Sequence, residues 1–147
     1  MKTKTKSKLL KQAELIEKWL NDTDSLFTQK TATLYATHLD NTATTIDTGS
    51  DVYELLETPK ARTAAVELSN PIALTTTGWA APIDNNPDDL QPSKHPNRRR
   101  VSLFIMVNQA GQMASVLRFK DTPNETTTDD GNAKGSLAIA LLHLMRL

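Results

Sequence analysis

The sequence predicts an α+β fold: one antiparallel sheet of three to four strands packed with N-terminal, middle and C-terminal helices, in the order α-β-α-β-β-β-α. Three observations carry that prediction. Residues 7–21 space Leu9, Ala13, Ile16 and Leu20 at helical intervals. Two strand-like runs, 101–107 and 113–119, flank Asn108-Gln109-Ala110-Gly111, a hairpin loop in which Gly111 can take positive φ. The stretch 137–147 is apolar nearly all round, as a buried terminal helix would be. Consecutive strands with no long helix between them form an antiparallel meander.

In chain order, residues 1–6 read as a flexible basic tail, preceding a single domain over 7–147. Ser7 is the expected cap of the first helix, with Glu14 and Lys18 as an i,i+4 pair and Trp19 directed to the core. Asp22–Ser25 reads as a turn or a second helix start. Ala32, Leu34, Ala36 and His38 alternate with Thr33, Tyr35 and Thr37, which predicts a strand over 31–39; a helix over 24–38 is the rival. Residues 41–50 read as a loop, and 51–56 as a helix capped by Ser50 or Asp51. Pro59 opens a further helix over 60–68, and Asn70-Pro71 ends it. Residues 72–79 predict a strand of β-branched residues.

The run 101–107 is apolar on both faces, which implies a central strand covered on both sides. Residues 121–135 read as a polar loop, with Ser136 capping the last helix. The expected core includes Leu103, Ile105, Val116, Leu117, Leu137 and Leu141.

At 147 residues the chain is long enough for one core without a metal or disulfide staple. Lys+Arg and Asp+Glu are both 17, and this balance argues against a general nucleic-acid binder. Cysteine is absent, which excludes disulfides, thiolate metal sites and cysteine nucleophiles together. No apolar run approaches the ~20 residues a bilayer requires, and charge interrupts the segment after the basic N-terminus, so the sequence reads as cytoplasmic, with no export signal.

The candidate site lies in 74–101, which holds one of two tryptophans, one of three histidines and half of the six arginines. A meander places the loops 80–99 and 120–135 at one sheet edge, gathering Lys94, His95, Arg98, Arg99, Arg100, Arg118 and Lys120 with Asp84, Asp88, Asp89, Asp121, Glu125, Asp129 and Asp130. Trp79, His95, Arg98, Arg99 and Arg100 form the expected binding cluster, since an arginine fork beside a tryptophan face suits an anion or a structural stack. The structural reading is that the two loops neutralise each other and that one arginine packs half-buried against a carboxylate or a ring. Arg98 and Arg100 are expected on one strand face, and Arg99 on the side of Ser102, Phe104 and Met106.

Catalytic signatures are missing. No glycine-rich phosphate loop is present among five glycines, and three isolated histidines make no zinc site. His38 and His143 read as core histidines, whereas His95, alone in a loop, could serve as an acid or base. Asp88-Asp89 and Asp129-Asp130 read as solvated carboxylates rather than cation ligands.

Gly78-Trp79-Ala80-Ala81-Pro82, a variable loop, then His95-Pro96-Asn97-Arg98-Arg99-Arg100-Val101 resembles a motif of small actinobacterial proteins. In that family a similar Gly-Trp-Ala-Ala-Pro precedes His-Pro-x-Arg-Arg-x-Val, a strand, a glycine hairpin and a strand ending Leu-Arg, here Leu117-Arg118. The resemblance spans residues 64–120 and implies a bacterial cytoplasmic protein with a strand–loop–strand segment. It carries no activity across.

Three functions compete. The favoured reading is a non-enzymatic interaction or ligand-binding module, taking a protein partner or a small anionic ligand and no cofactor. The alternative is a small hydrolase or transferase using His95 with loop carboxylates and arginines. The third is a nucleic-acid accessory protein acting through the basic tail and the arginine run, which steep salt dependence would reveal.

Overall fold

A computed structural model describes residues 7–23, 32–67, 70–80, 99–122 and 124–145. The expected basic tail, the segment 24–31 and most of the loop 80–99 lie outside the described residues. The fold is α+β, with an antiparallel sheet of six strands rather than three to four. In chain order the elements are α1 (Lys8–Asp22), β1 (Ala32–Thr37), β2 (Ala43–Gly49), α2 (Val52–Leu56), α3 (Pro59–Glu67), β3 (Ile72–Ala80), β4 (Arg99–Val107), β5 (Gln112–Phe119), β6 (Thr126–Asn132) and α4 (Ser136–Met145). The sheet order is β2-β1-β3-β4-β5-β6.

The two strands that the sequence reading missed are the two edges. β2 falls in the expected loop 41–50 and β6 in the expected loop 121–135. An edge strand covered on few positions needs no apolar alternation, and neither segment has one. Both edges are also blunted against further pairing. Ile46 is the extra residue of a bulge, because Leu34 pairs with Asp47 and Tyr35 with Thr45. β6 carries Asp129, Asp130 and Gly131.

Two cores flank the sheet. On one face the Leu9, Leu10, Ala13, Ile16 and Leu20 stripe of α1 packs on Tyr35, Ala73, Phe104, Met106, Ala114 and Val116. Ser7 caps α1, its Oγ accepting from the Leu10 N–H at 3.0 Å. The Ser7 N–H donates to Asp130 Oδ2 at 2.9 Å, which ties the helix start to β6. Trp19, expected in the core, sits at the stripe's margin and is 37% exposed. Lys18 takes its i,i+4 partner from Asp22 at 2.7 Å.

On the other face α2, α3 and α4 cover Leu34, Ile72, Leu74, Ile105, Val107 and Met113. Asp51 caps α2, its Oδ1 accepting from Tyr53 and Glu54 N–H. Pro59 opens α3, and Thr58 Oγ1 accepts from the Ala61 N–H at 3.2 Å. Gly111 takes φ 85° in the β4–β5 turn, as the hairpin requires.

Three expected core residues are less covered than the sequence implies. Ile105, Val116 and Leu141 are buried, whereas Leu103, Leu117 and Leu137 are half-buried. Leu103 and Leu117 pair across β4 and β5 on the α4 side and stand outside its buried cluster. α4 is likewise not buried all round. Ala138, Leu141, Leu144 and Met145 face the core, but Ser136, Ile139 and His143 are exposed along one side. The two short helices α2 and α3 leave that side open. No helix among the described residues is long and apolar enough to cross a membrane.

Candidate functional site

Register fixes the ends of the loop that carries the sequence-predicted cluster. Trp79 pairs with Arg100 and Ala80 with Arg99, so the backbone on either side of residues 81–98 is brought together at one end of β3 and β4. His95, Arg98 and Lys94 lie outside the described residues. β5 ends and β6 begins at the same end of the sheet, as a meander requires. Asp129 and Asp130, expected there, instead pair with Ser115 and Ala114 farther along β6.

Arg99 and Arg100 point to opposite faces, with the parity reversed from expectation. Val101 is opposite Phe119, and Arg99 lies over that ring with its guanidinium carbon 4.0 Å from the centroid. Its Nε donates to Asp121 Oδ2 at 3.1 Å, and its Nη2 to Asp121 Oδ1 and Thr122 Oγ1, both at 2.8 Å. Glu125 stands 3.8 Å from Nη1. The hydrogen bond from Arg99 holds the Asp121 carboxyl below the usual carboxylate range. It is Arg100 that shares the face of Ser102, Phe104 and Met106, donating from Nη2 to Thr77 Oγ1 at 2.8 Å.

The α1 face hides a pair that the sequence reading missed. Arg118 donates from Nε to Glu17 Oε2 at 2.8 Å and from Nη2 to Glu17 Oε1 at 2.6 Å. Glu17 is 0% and Arg118 7% exposed. The hydrogen bond to Glu17 raises the Arg118 pKa, against the opposing effect of burial. Both residues carry a legible sign. Glu17 falls on the apolar stripe four residues after Ala13, and Arg118 continues the inward alternation Ala114, Val116. A charge at an inward position asks for a buried partner.

The pair belongs to a polar row across four strands, Thr77–Ser102–Arg118–Thr126. Arg118 is therefore structural rather than part of an exposed loop edge. His38, expected in the core, is half-buried just after β1 and reaches Thr44 Oγ1 through Nε2 at 2.6 Å.

The open side of α4 forms the other candidate. A groove of ≈ 790 Å³ runs between α4 on one side and α2 with the start of α3 on the other. Leu56, Ile139, Ala140 and Leu144 supply its apolar wall. Tyr53 Oη and Ser136 Oγ lie 2.8 Å apart and bridge α2 to the start of α4. Glu57, Arg62 and His143 complete the lining, and no hydrogen bond or ion pair engages their side chains among the described residues. His143, expected in the core, is exposed here.

The groove assembles no catalytic pair. His143 is seven residues from Ser136 on one helix, an axial separation of roughly 10 Å, too far to take its proton. No group of three metal-ligating side chains occurs among the described residues. No protein-family model, no curated protein and no solved structure matches this chain.

Proposed function

We propose that the chain is a non-enzymatic binding module whose ligand face is the groove between α4 and α2–α3. The carrying observation is an apolar groove of ≈ 790 Å³ ringed by three ionisable side chains that the described residues leave unengaged. Its size falls within the roughly 300–1,000 Å³ of small-molecule sites, and an apolar wall with a few converging polar groups is their usual chemistry. Titration with an amphiphilic anionic dye that fluoresces in apolar surroundings, 8-anilinonaphthalene-1-sulfonate, tests it. Ile139→Glu places a charge on the exposed wall and is expected to abolish dye fluorescence with an unchanged melting temperature. Unchanged dye binding would sink the reading.

A second reading keeps Trp79, His95 and Arg98–Arg100 as a small-anion site. It is favoured by the register that sets Trp79 opposite Arg100 at the mouth of the loop. Arg99 and Arg100 have protein partners, so His95 and Arg98 are the residues that would bear such a ligand. His95→Ala and Arg98→Ala should then abolish inorganic phosphate binding, measured by calorimetry, without lowering the melting temperature. The hydrolase or transferase alternative rests on the same His95 and draws nothing from the groove. A cytoplasmic, bacterial setting is what the Gly78–Val101 motif supports.

A further inference from the structure

We infer that the groove between α4 and α2–α3 takes a small amphiphilic monocarboxylate, with its apolar chain along α4 and its carboxylate on Arg62. The inference rests on the binding-module reading above and names the ligand class. Four arginines lie among the described residues, and three have hydrogen-bond partners in the fold: Arg99 in Asp121, Arg100 in Thr77 and Arg118 in Glu17. The fourth, Arg62, is exposed on the groove, where its guanidinium has no hydrogen bond or ion pair among the described residues. A guanidinium fork next to an apolar wall matches a carboxylate joined to an alkyl chain.

The same lining selects against other classes. Glu57 shares the groove, so a dianionic phosphate head would be repelled where a monoanion is tolerated. Ile139, 39% exposed, and Tyr53, 50% exposed, are two of the large hydrophobics left at the surface, and both line the groove. An uncharged or chainless ligand would leave either Arg62 or this wall unused. A protein partner fits less well. A standard protein interface takes about 20–30 residues from each side, and nine of the described residues line this groove. α2 has five residues and α3 nine, so the wall facing α4 is short.

Calorimetric titration of the full chain with octanoate, octanol, octylamine and octyl phosphate, all below their micelle concentrations, tests the inference. Octanoate is expected to bind at least tenfold tighter than the other three. Arg62→Met should weaken octanoate at least tenfold while leaving octanol unchanged, and Glu57→Gln should tighten octanoate. Lys18→Met, on the α1 side, should change nothing. Octanol or octylamine binding as tightly as octanoate, or an Arg62→Met variant with wild-type octanoate affinity, overturns the carboxylate assignment. In that outcome the groove itself still stands if Ile139→Glu abolishes binding of the compounds that do bind. If Ile139→Glu leaves all of them unchanged, or none of the four binds, both the assignment and the binding-module reading fall.

Discussion

The two faces of the sheet solve the same covering problem with opposite chemistry. On the α1 face a single helix of fifteen residues lies over the strands, and one of its charges, Glu17, is turned inward onto Arg118. On the other face three shorter helices build a wholly aliphatic and methionine core, and leave charge outside it, around a groove. The buried ionic groups of the α1 face, Glu17 and Arg118, are committed to each other, and its remaining charges are surface ones such as the Lys18–Asp22 pair. The α4 face leaves Glu57, Arg62 and His143 uncommitted beside apolar surface among the described residues, and that contrast is what supports the proposed binding face on the α4 side.

The strongest way to break this comparison is to attack the inward charge. Glu17→Ala leaves Arg118 buried without its carboxylate, an arrangement that costs about 3–5 kcal/mol. Urea denaturation of this variant should show that loss, and the double variant Glu17→Leu/Arg118→Met should recover most of it. A Glu17→Ala protein as stable as wild type would mean that Arg118 reaches solvent and that the two faces do not differ as described.

A somewhat smaller loss belongs to the aliphatic face. Leu141 is fully buried against the sheet, and Leu141→Ala should cost about 2–5 kcal/mol through the cavity it leaves. If the loss is under about 1 kcal/mol, α4 is not seated as described and the groove beside it has no rigid wall.

The contrast between the faces also explains what the sequence could reveal. The central strands β3, β4 and β5 were legible because burial on both faces forces apolar residues into every position of a stretch such as 103–107. The hairpin at Gly111, the cap at Ser7 and, to within the choice of Ser50 or Asp51, the cap of α2 were legible because turn and cap chemistry is local. β2 and β6 were not, since edge pairing is a long-range fact that threonine-rich and acidic segments do not announce. The groove was illegible for a related reason. An apolar helix reads as buried, and only the short lengths of α2 and α3, seen in place, show that one side of α4 stays open. The Glu17–Arg118 pair could have been found, as an inward charge on each of two elements.

A third test sharpens the account of that wall. Asp51 Oδ1 accepts from two N–H groups at the start of α2, and Asp51→Ala should cost about 1 kcal/mol. Because α2 carries Tyr53, Leu56 and Glu57 on the groove, the same variant should weaken dye binding there. Weakened stability with unaltered dye binding would show that the groove does not depend on α2.

The smallest effect probes the polar row on the α1 face. Ser102 is fully buried between Thr77 and Arg118 in the register, and its Oγ has no hydrogen-bond partner among the described residues. A buried hydroxyl without a partner is a cost rather than a gain, because desolvation is not offset by a bond. Ser102→Ala removes that cost and leaves only a small void, so the variant should be as stable as wild type or up to about 1 kcal/mol more stable. The neighbouring Thr77→Ala differs in kind, since Thr77 Oγ1 accepts from Arg100 and its loss strips a charged donor of that partner. The pair of variants therefore separates an idle polar group from a working one within a single row. Should Ser102→Ala prove clearly destabilising while Thr77→Ala is silent, the roles along the row would be reversed, and the claim that this face commits its polar groups through Arg100 and Arg118 would fail.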